Sequence, residues 1–482
     1  MARLTVHYNG MTRVIEFEGQ KRLDDILISN GMRSPHPCGG MGRCGKCRVE
    51  LKGAVSPPDK VEARFGARLS CRAIILGDAE VTVLIDGAPK IETATSNAAL
   101  KSPMAGNYGA AVDIGTTTIA AKVFDLARGE CIATGAVLNP QISVASDVIG
   151  RMDAAQNGRA DELKDMVRQA VEDLLAGLTD KIIESAVVTG NTAMLYLYLG
   201  LDTTPLCRAP FNMPDPLGRV INIDGREVYF PPCMGAFVGA DVTSAILSAG
   251  LCREDNTAML CDIGTNGEMA LWHGGKLFVT STAAGPVFEG AGIECGCMGV
   301  DGAIDKVSAE NGMLCISTIG QKEPVGICGS GVVDAVAAGL ELGLIDKNGT
   351  LSDDLYFFGD VRLTQSDVRC VQLAKSAIIS GIYTLAKRAG VIKVDKFCIA
   401  GGFGSHLNVE SGAKIGLLPK DAVGKAEVLG NAALAGAAEL LLDVGKRASA
   451  EWIAGNAEGI NLGGDVMFNK FYMENMAFLA YK

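Results

Sequence analysis

The sequence predicts an α/β protein in two parts: a small β-rich N-terminal unit, then a larger duplicated unit in which strands alternate with helices. Three observations predict it. Four cysteines, Cys38, Cys44, Cys47 and Cys71, lie in or near a glycine-rich loop of the first part. The tetrapeptide Asp-Ile-Gly-Thr occurs at 113–116 and again at 262–265, an offset of 149 residues. The stretches after each copy repeat one order of strand and helix signals, and such internal repetition decides architecture before any single element does.

The length of 482 residues fits two to four domains. A hydrophobic content of 48% with 21% charged residues fits packed cores and excludes general disorder. No apolar run approaches the ~18 residues that span a bilayer. Met1 to Asn9 alternates like a strand and has no signal-peptide core. The expectation is a soluble, cytoplasmic protein with no membrane partner. Net charge is −11 but uneven: residues 1–90 hold 14 basic and 10 acidic side chains, the remainder 30 and 45. An acidic chain without a recognised motif excludes nucleic acid as a partner.

In the first unit, Leu4 to Tyr8 and Arg13 to Phe17 alternate on either side of Asn9-Gly10, a hairpin signal. Arg22 to Asn30 has helical spacing at Leu23, Ile26 and Leu27, with Gly31 to close it. Strands are expected at Val49 to Leu51 and at Val81 to Ile85. Residues 89–106 hold Pro, Thr, Ser, Asn and Gly without periodicity and read as a linker. The expected division is residues 1–88, the linker 89–106, a first lobe over 107–250 and a second over 251–482.

The repeat gives the lobes their elements. Ala110 to Thr116 matches Met259 to Thr265, each followed by two further strand-like stretches. Ala186 to Asn191 has its counterpart in Phe397 to Gly402, and Phe237 to Asp241 in Val428 to Ala432, each read as a short strand before a helix. That alternation implies mixed or parallel sheets with helices on their faces. The second copy carries an insertion over about residues 283–364, rich in Gly and Cys.

Fifteen cysteines, an odd number, argue against a disulfide framework. Reduced cysteines clustered at short spacing read as metal ligands. Iron–sulfur clusters need soft thiolates, two per iron, and a glycine-rich loop lets the backbone approach sulfur closely. Cys38, Cys44 and Cys47 with the remote Cys71 therefore read as ligands of a 2Fe–2S cluster. The first gap is one residue longer than the plant-type spacing and resembles adrenodoxin-like ferredoxins. Zinc is the other reading, but zinc ribbons use two C-x₂-C pairs and the second pair is missing. Residues 33–72 hold nine basic side chains against Glu50, Asp59 and Glu62. They offset the cluster's negative charge, or also steer an acidic docking partner. Gly40 to Lys46 nearly spells a Walker A motif, but Cys47 stands in the Mg-binding position and no buried strand leads in.

A phosphate loop needs glycine for close approach and donors for the oxygens, with carboxylates to hold Mg²⁺, usually through water. Asp113 to Thr118 and Asp262 to Glu268 each supply these at a strand-to-strand turn. With Gly401-Gly402-Phe403-Gly404 added, residues 107–482 resemble the superfamily of acetate and sugar kinases, Hsp70 and actin (ASKHA). That resemblance implies a two-lobed, duplicated RNase H-like ATPase with ATP between the lobes. It implies Mg²⁺ held by Asp113 and Asp262 through water, phosphate contacts from Thr116, Thr117, Thr265 and Asn266, and an adenosine motif at Gly401, Gly402 and Phe403. Gly190-Asn191-Thr192 and Gly430-Asn431-Ala432 look like its connecting elements. Glu268 is the leading candidate to activate water, with Asp241 and Glu289 as alternatives. His406 is open to lining the adenine pocket, with a surface position as the plainer reading. Cys295 and Cys297 form a lone C-x-C, and Gly329-Ser330-Gly331 is placed to open a helix.

The whole arrangement resembles the ATP-dependent reductive activators of corrinoid proteins, in which a β-grasp ferredoxin domain precedes the ATPase. The stretches Gly285 to Gly292, Ile327 to Gly331 and Met473 to Leu479 also look like that family. The chain is short for the group, so an extra middle domain is expected to be reduced. The resemblance implies one-electron reduction of a Co(II) corrinoid to Co(I) on a methyl-transfer protein. It further implies an upstream low-potential electron donor, and a homodimer stands among the expectations. Three other readings are a small-molecule kinase with a fused redox domain, an ATPase activator of a radical dehydratase or reductase, and an electron carrier that binds nucleotide without turnover.

Overall fold

The computed structural model describes residues 2–8, 11–30, 32, 47–65, 67–83, 100–253 and 256–478. They fall in two compact units, one within residues 1–88 together with 140–151, the other within 89–139 and 152–482. Asn9-Gly10, Gly31, Cys38, Cys44 and residues 89–99 of the expected linker lie outside the described residues.

In the first unit, β1 (Ala2–Tyr8) pairs antiparallel with β2 (Met11–Phe17), the predicted hairpin. The short β3 (Lys21–Arg22) leads into α1 (Leu23–Ser29), followed by β4 (Arg48–Val55), α2 (Lys60–Phe65), β5 (Arg68–Leu69) and β6 (Ile74–Val83). The sheet order is β2-β1-β6-β4-β5, with β1 and β6 parallel. Leu23, Ile26 and Leu27 form one stripe of α1 at helical spacing and share a core with Leu4, Val6 and Val81. This is a β-grasp. The final strand starts earlier than the sequence suggested, at Ile74, because Gly77 and Asp78 interrupt an alternation that Ile75, Ala79, Val81 and Val83 continue on the buried face.

The second unit repeats one motif. Its first lobe runs β7 (Tyr108–Ile114), β8 (Thr118–Asp125) and β9 (Glu130–Leu138); then, after α3 (Val148–Ala154), which straddles the division between the units at 151/152, come α4 (Ala160–Leu178), β10 (Ser185–Gly190), α5 (Thr192–Leu199), α6 (Thr204–Cys207), β11 (Arg219–Ile223), β12 (Arg226–Phe230) and α7 (Ala240–Ala249). The second lobe opens with β13 (Ala258–Ile263), β14 (Gly267–His273) and β15 (Lys276–Thr282). The inserted segment supplies β16 (Ala303–Glu310), β17 (Met313–Thr318), β18 (Gly326–Ile327), α8 (Gly329–Glu341), β19 (Leu355–Phe358) and β20 (Val361–Leu363). The lobe then continues through α9 (Gln365–Arg388), β21 (Lys396–Ala400), α10 (Val409–Lys414), β22 (Ala426–Gly430), α11 (Ala432–Leu442), α12 (Arg447–Gly455), β23 (Ala457–Gly459) and α13 (Val466–Glu474).

The two main sheets have orders β11-β12-β10-β7-β8-β9 and β22-β21-β13-β14-β15-β23. In each, an antiparallel three-strand meander meets a parallel strand on its far side. One core spans both lobes, joining Val187 and Val242 of the first to Leu260, Cys398 and Leu434 of the second. Helices α7 and α11 approach so closely that a Cβ on Gly436 would lie 2.0 Å from the Ser244 carbonyl oxygen.

One reading changes. Phe237-Val238 is a turn before α7, and the strand in that place is β12. A tight turn at Asp224-Gly225, both with positive φ, pairs β12 with β11. Residues 101–104, the visible end of the expected linker, are bonded to the chain at 441–444, and Met104 is buried. Among the described residues, no helix is long and apolar enough to cross a membrane.

Candidate functional site

The two aspartates occupy matching places. Asp113 is the penultimate residue of β7 and Asp262 of β13. Each strand turns through a glycine whose N–H closes the hairpin, Gly115 onto the Thr118 carbonyl and Gly264 onto that of Asn266, both at 2.9 Å. Both turns open on one cavity of about 460 Å³, within the range of small-molecule sites. Asp113, Thr116, Thr117, Asp262, Thr265, Asn266, Glu268, Gly401, Gly402 and Phe403 all line it. His406 also lines it, from an exposed position at its edge.

Helix caps fix the loops. The Asn191 carboxamide oxygen accepts the Met194 N–H at the start of α5, and its Nδ2 donates to Thr116 Oγ1 at 3.2 Å. Asn431 caps α11 through Leu434 N–H, and its Nδ2 donates to Asp113 Oδ2 at 2.8 Å. An asparagine at an N-cap satisfies an otherwise unpaired helix donor, leaving its amide nitrogen for a second task. Here that task ties α11 of the second lobe to the aspartate of the first. Gly401 has φ of +93°, and a Cβ there would lie 2.5 Å from Asp262 Oδ1. The Phe403 ring stacks on Phe288 at 4.9 Å.

Glu289, one of the alternatives for activating water, takes a position the sequence did not reveal. Its Oε2 accepts the hydroxyls of Thr117 at 2.7 Å and Thr265 at 2.8 Å, one from each loop. The two hydroxyl oxygens are 3.3 Å apart. The inserted segment also brings Asp305, Cys297, Met298, Cys328 and Ser330 to the wall. Cys295 does not join Cys297 there: its Sγ lies near the Asp360 carbonyl.

The electrostatics are one-sided. Asp113, Asp241, Asp262, Glu268, Glu289 and Asp305 line the cavity, with no Lys or Arg among the lining residues described. Burial pushes Asp113 up to about 6 against the Asn431 hydrogen bond. Burial, then Asp113 and Glu289, pushes Asp262 to about 7. Burial and then chiefly Asp113 pushes Asp241 to about 8. Glu268 is raised by burial, then by Asp241 and Asp262. Carboxylates that raise one another in this way fit a bound cation. Among the described residues, no three acidic, His or Cys side chains converge tightly enough to bind a metal directly. A hexahydrated ion such as Mg²⁺ needs no such cage.

In the first unit, Cys47 and Cys71 are buried beside Leu69, with Sγ atoms 3.2 Å apart and no disulfide between them. Two thiols so placed fit one iron of a cluster. Nearby basic residues are partly neutralised: Arg68 pairs with the buried Glu62 at 3.0 Å and Arg72 with Asp59 at 2.7 Å.

A β-grasp unit with adjacent buried thiols, followed by two lobes with matched aspartate loops, defines an iron–sulfur protein fused to an ASKHA-type ATPase. Comparison with known proteins agrees. Residues 6–76 match the 2Fe–2S iron–sulfur cluster binding domain, 108–254 the RACo middle region, and 256–482 the C-terminal ASKHA domain of RACo. The middle region thus coincides with the first lobe. The corrinoid activation enzyme RamQ of Eubacterium limosum is 35% identical over 423 residues, covering 77% of this chain and 70% of RamQ. The Co(II) methylated amine-specific corrinoid protein reductase of Methanosarcina barkeri is 26% identical, covering 77% of each chain. A solved reductive activator for a corrinoid, iron–sulfur protein shares the fold, with a TM-score of 0.71 at 24% identity over 99% of this chain and 98% of its own. The chain belongs to the family of ATP-dependent reductive activators of corrinoid proteins.

Proposed function

We propose that this protein uses ATP to drive one electron from its N-terminal 2Fe–2S cluster onto the Co(II) corrinoid of a methyl-transfer protein, giving Co(I). The observation that carries the reading is the convergence of both Asp-Ile-Gly-Thr turns on one carboxylate-lined cavity. The names of the relatives, for corrinoid activation and Co(II) reduction, point the same way. A ferredoxin cluster of the plant type sits at about −400 mV. For one electron, each ~59 mV of uphill gap costs about 1.4 kcal/mol, so a more negative acceptor calls for a second energy source. ATP-dependent rearrangement must then favour a complex in which cobalt is easier to reduce.

In this reading Cys38, Cys44, Cys47 and Cys71 hold the cluster, which supplies a single electron when bound. Asp113 and Asp262 orient Mg²⁺ through water, and the ion would neutralise phosphate charge. Thr116, Thr117, Thr265 and Asn266 bind phosphates, and Gly401, Gly402 and Phe403 border the adenosine. Glu268 accepts the proton of the attacking water. The division at residues 88, 106 and 250, an upstream low-potential donor, a homodimer and a cytoplasmic location belong to the same proposal.

Two variants test it by separating the halves. Cys47→Ala should lose the visible and EPR signatures of the cluster and all transfer to cobalt while still binding MgATP. Asp262→Ala should keep those signatures and lose ATP-driven reduction. A colourless, zinc-loaded wild-type protein, or an Asp262→Ala protein that still responds to ATP, would defeat the reading.

A further inference from the structure

Glu289 stands where two demands on the same hydrogens meet. It ends the short turn Pro286–Glu289, which opens the inserted segment. Its carboxylate accepts the hydroxyls of Thr117 and Thr265 at 2.7 and 2.8 Å, so one side chain spans both phosphate loops. A threonine hydroxyl carries one hydrogen and donates it to one acceptor at a time. A terminal phosphate seated between the loops, as the proposed function requires, needs those two hydrogens. It also brings negative charge against the Glu289 carboxylate, and like charges at contact distance in a confined site repel strongly. Glu289 and the last phosphate of the nucleotide therefore compete for one place.

The turn is wired to the rest of the cavity. The Phe288 ring, next in sequence, stacks on Phe403 of the expected adenosine motif at 4.9 Å with planes 20° apart. Gly290 follows with φ of +75°, and the N–H groups of Gly290 and Ala291 close the turn onto Val287 and Pro286.

We propose that Glu289 is a positioning residue that discriminates nucleotides by their terminal phosphate: it holds the Thr117 and Thr265 hydroxyls and yields them to a γ-phosphate, which a diphosphate does not require of it. The inference rests on the ATP site proposed above.

The test is calorimetric titration of full-length protein with MgAMP-PNP, a non-hydrolysable ATP analogue, and with MgADP. Glu289→Gln keeps size and an acceptor oxygen but removes the charge. It should bind the triphosphate about tenfold more tightly, with MgADP affinity unchanged. Glu289→Asp keeps the charge but is too short to reach both hydroxyls, and should shift the ratio less. Equal changes for both nucleotides, or weaker triphosphate binding by Glu289→Gln with its cluster spectrum and melting temperature intact, would overturn the inference. If the wild-type protein bound neither nucleotide, the site reading itself would fail instead. If Glu289→Gln did not fold, Glu289→Ala decides: it too should raise triphosphate affinity with MgADP affinity unchanged, and an unchanged ratio of the two affinities refutes the competition.

Discussion

Asp262 shows at a single side chain how the cavity is poised. Its ordinary value is 3.8, and burial with Asp113 and Glu289 lifts it to about 7 in the folded protein. A carboxyl raised on folding contributes stability that is complete below its unfolded value and lost as pH rises through its folded one. Asp113 and Asp241 add to this with folded values of about 6 and 8. Thermal melting in EDTA should therefore fall between pH 5 and pH 8.5, and MgCl₂ should restore more of it at the higher pH. Asp262→Asn should melt above wild type in EDTA at pH 8, with a smaller margin at pH 5. A wild-type melting temperature insensitive to Mg²⁺ at pH 8.5 would count against a cation among these carboxylates. The aspartates were legible because acid, glycine and hydroxyl recur in one tetrapeptide. The clasp of Glu289 on Thr117 and Thr265 was not, since it joins residues 172 and 24 positions apart. The second bond of Asn431 was equally hidden: an asparagine before a helix reads as a cap, and nothing local says that its amide reaches Asp113.

At the scale of elements, the crossing of α7 and α11 sets where Asn431 and Asp241 meet the cavity. Gly436 permits the crossing, and a Cβ there would press against Ser244 backbone at 2.0 Å. Gly436→Ala should destabilise the second unit by about 1–3 kcal/mol, the usual cost of overpacking, and weaken MgATP binding while the cluster spectrum is unchanged. Differential scanning calorimetry with titration of nucleotide checks both, and an unshifted transition would remove the crossing from the account. The duplicated order of strands and helices was readable because each lobe repeats its turn chemistry. Strand β12 was not read, although Asp224-Gly225 is a strong hairpin signal: Arg226 and Glu227 blur its apolar run, and the more apolar Phe237-Val238 drew the assignment eleven residues late. The bonds made by the end of the expected linker were hidden for a different reason. Polar, aperiodic sequence around Met104 says nothing about its bonds to 441–444, which only the folded α11 terminus supplies.

In the molecule as a whole, two chemistries share one chain because each is inadequate alone. A cluster can pass an electron only downhill, and an ATPase without a redox centre has none to pass. Family membership was legible across the chain because the cysteine spacing, both aspartate loops and the terminal segment lie in order in one sequence. The surface that would dock a corrinoid protein was not, because partner recognition depends on exposed side chains without a spacing rule. The most direct measurement follows the Co(I) absorbance band anaerobically after mixing reduced protein with a Co(II) corrinoid protein. Co(I) should form in large excess with MgATP and hardly at all with MgADP or without nucleotide. Equal Co(I) formation under all three conditions would contradict the coupling of ATP to electron transfer.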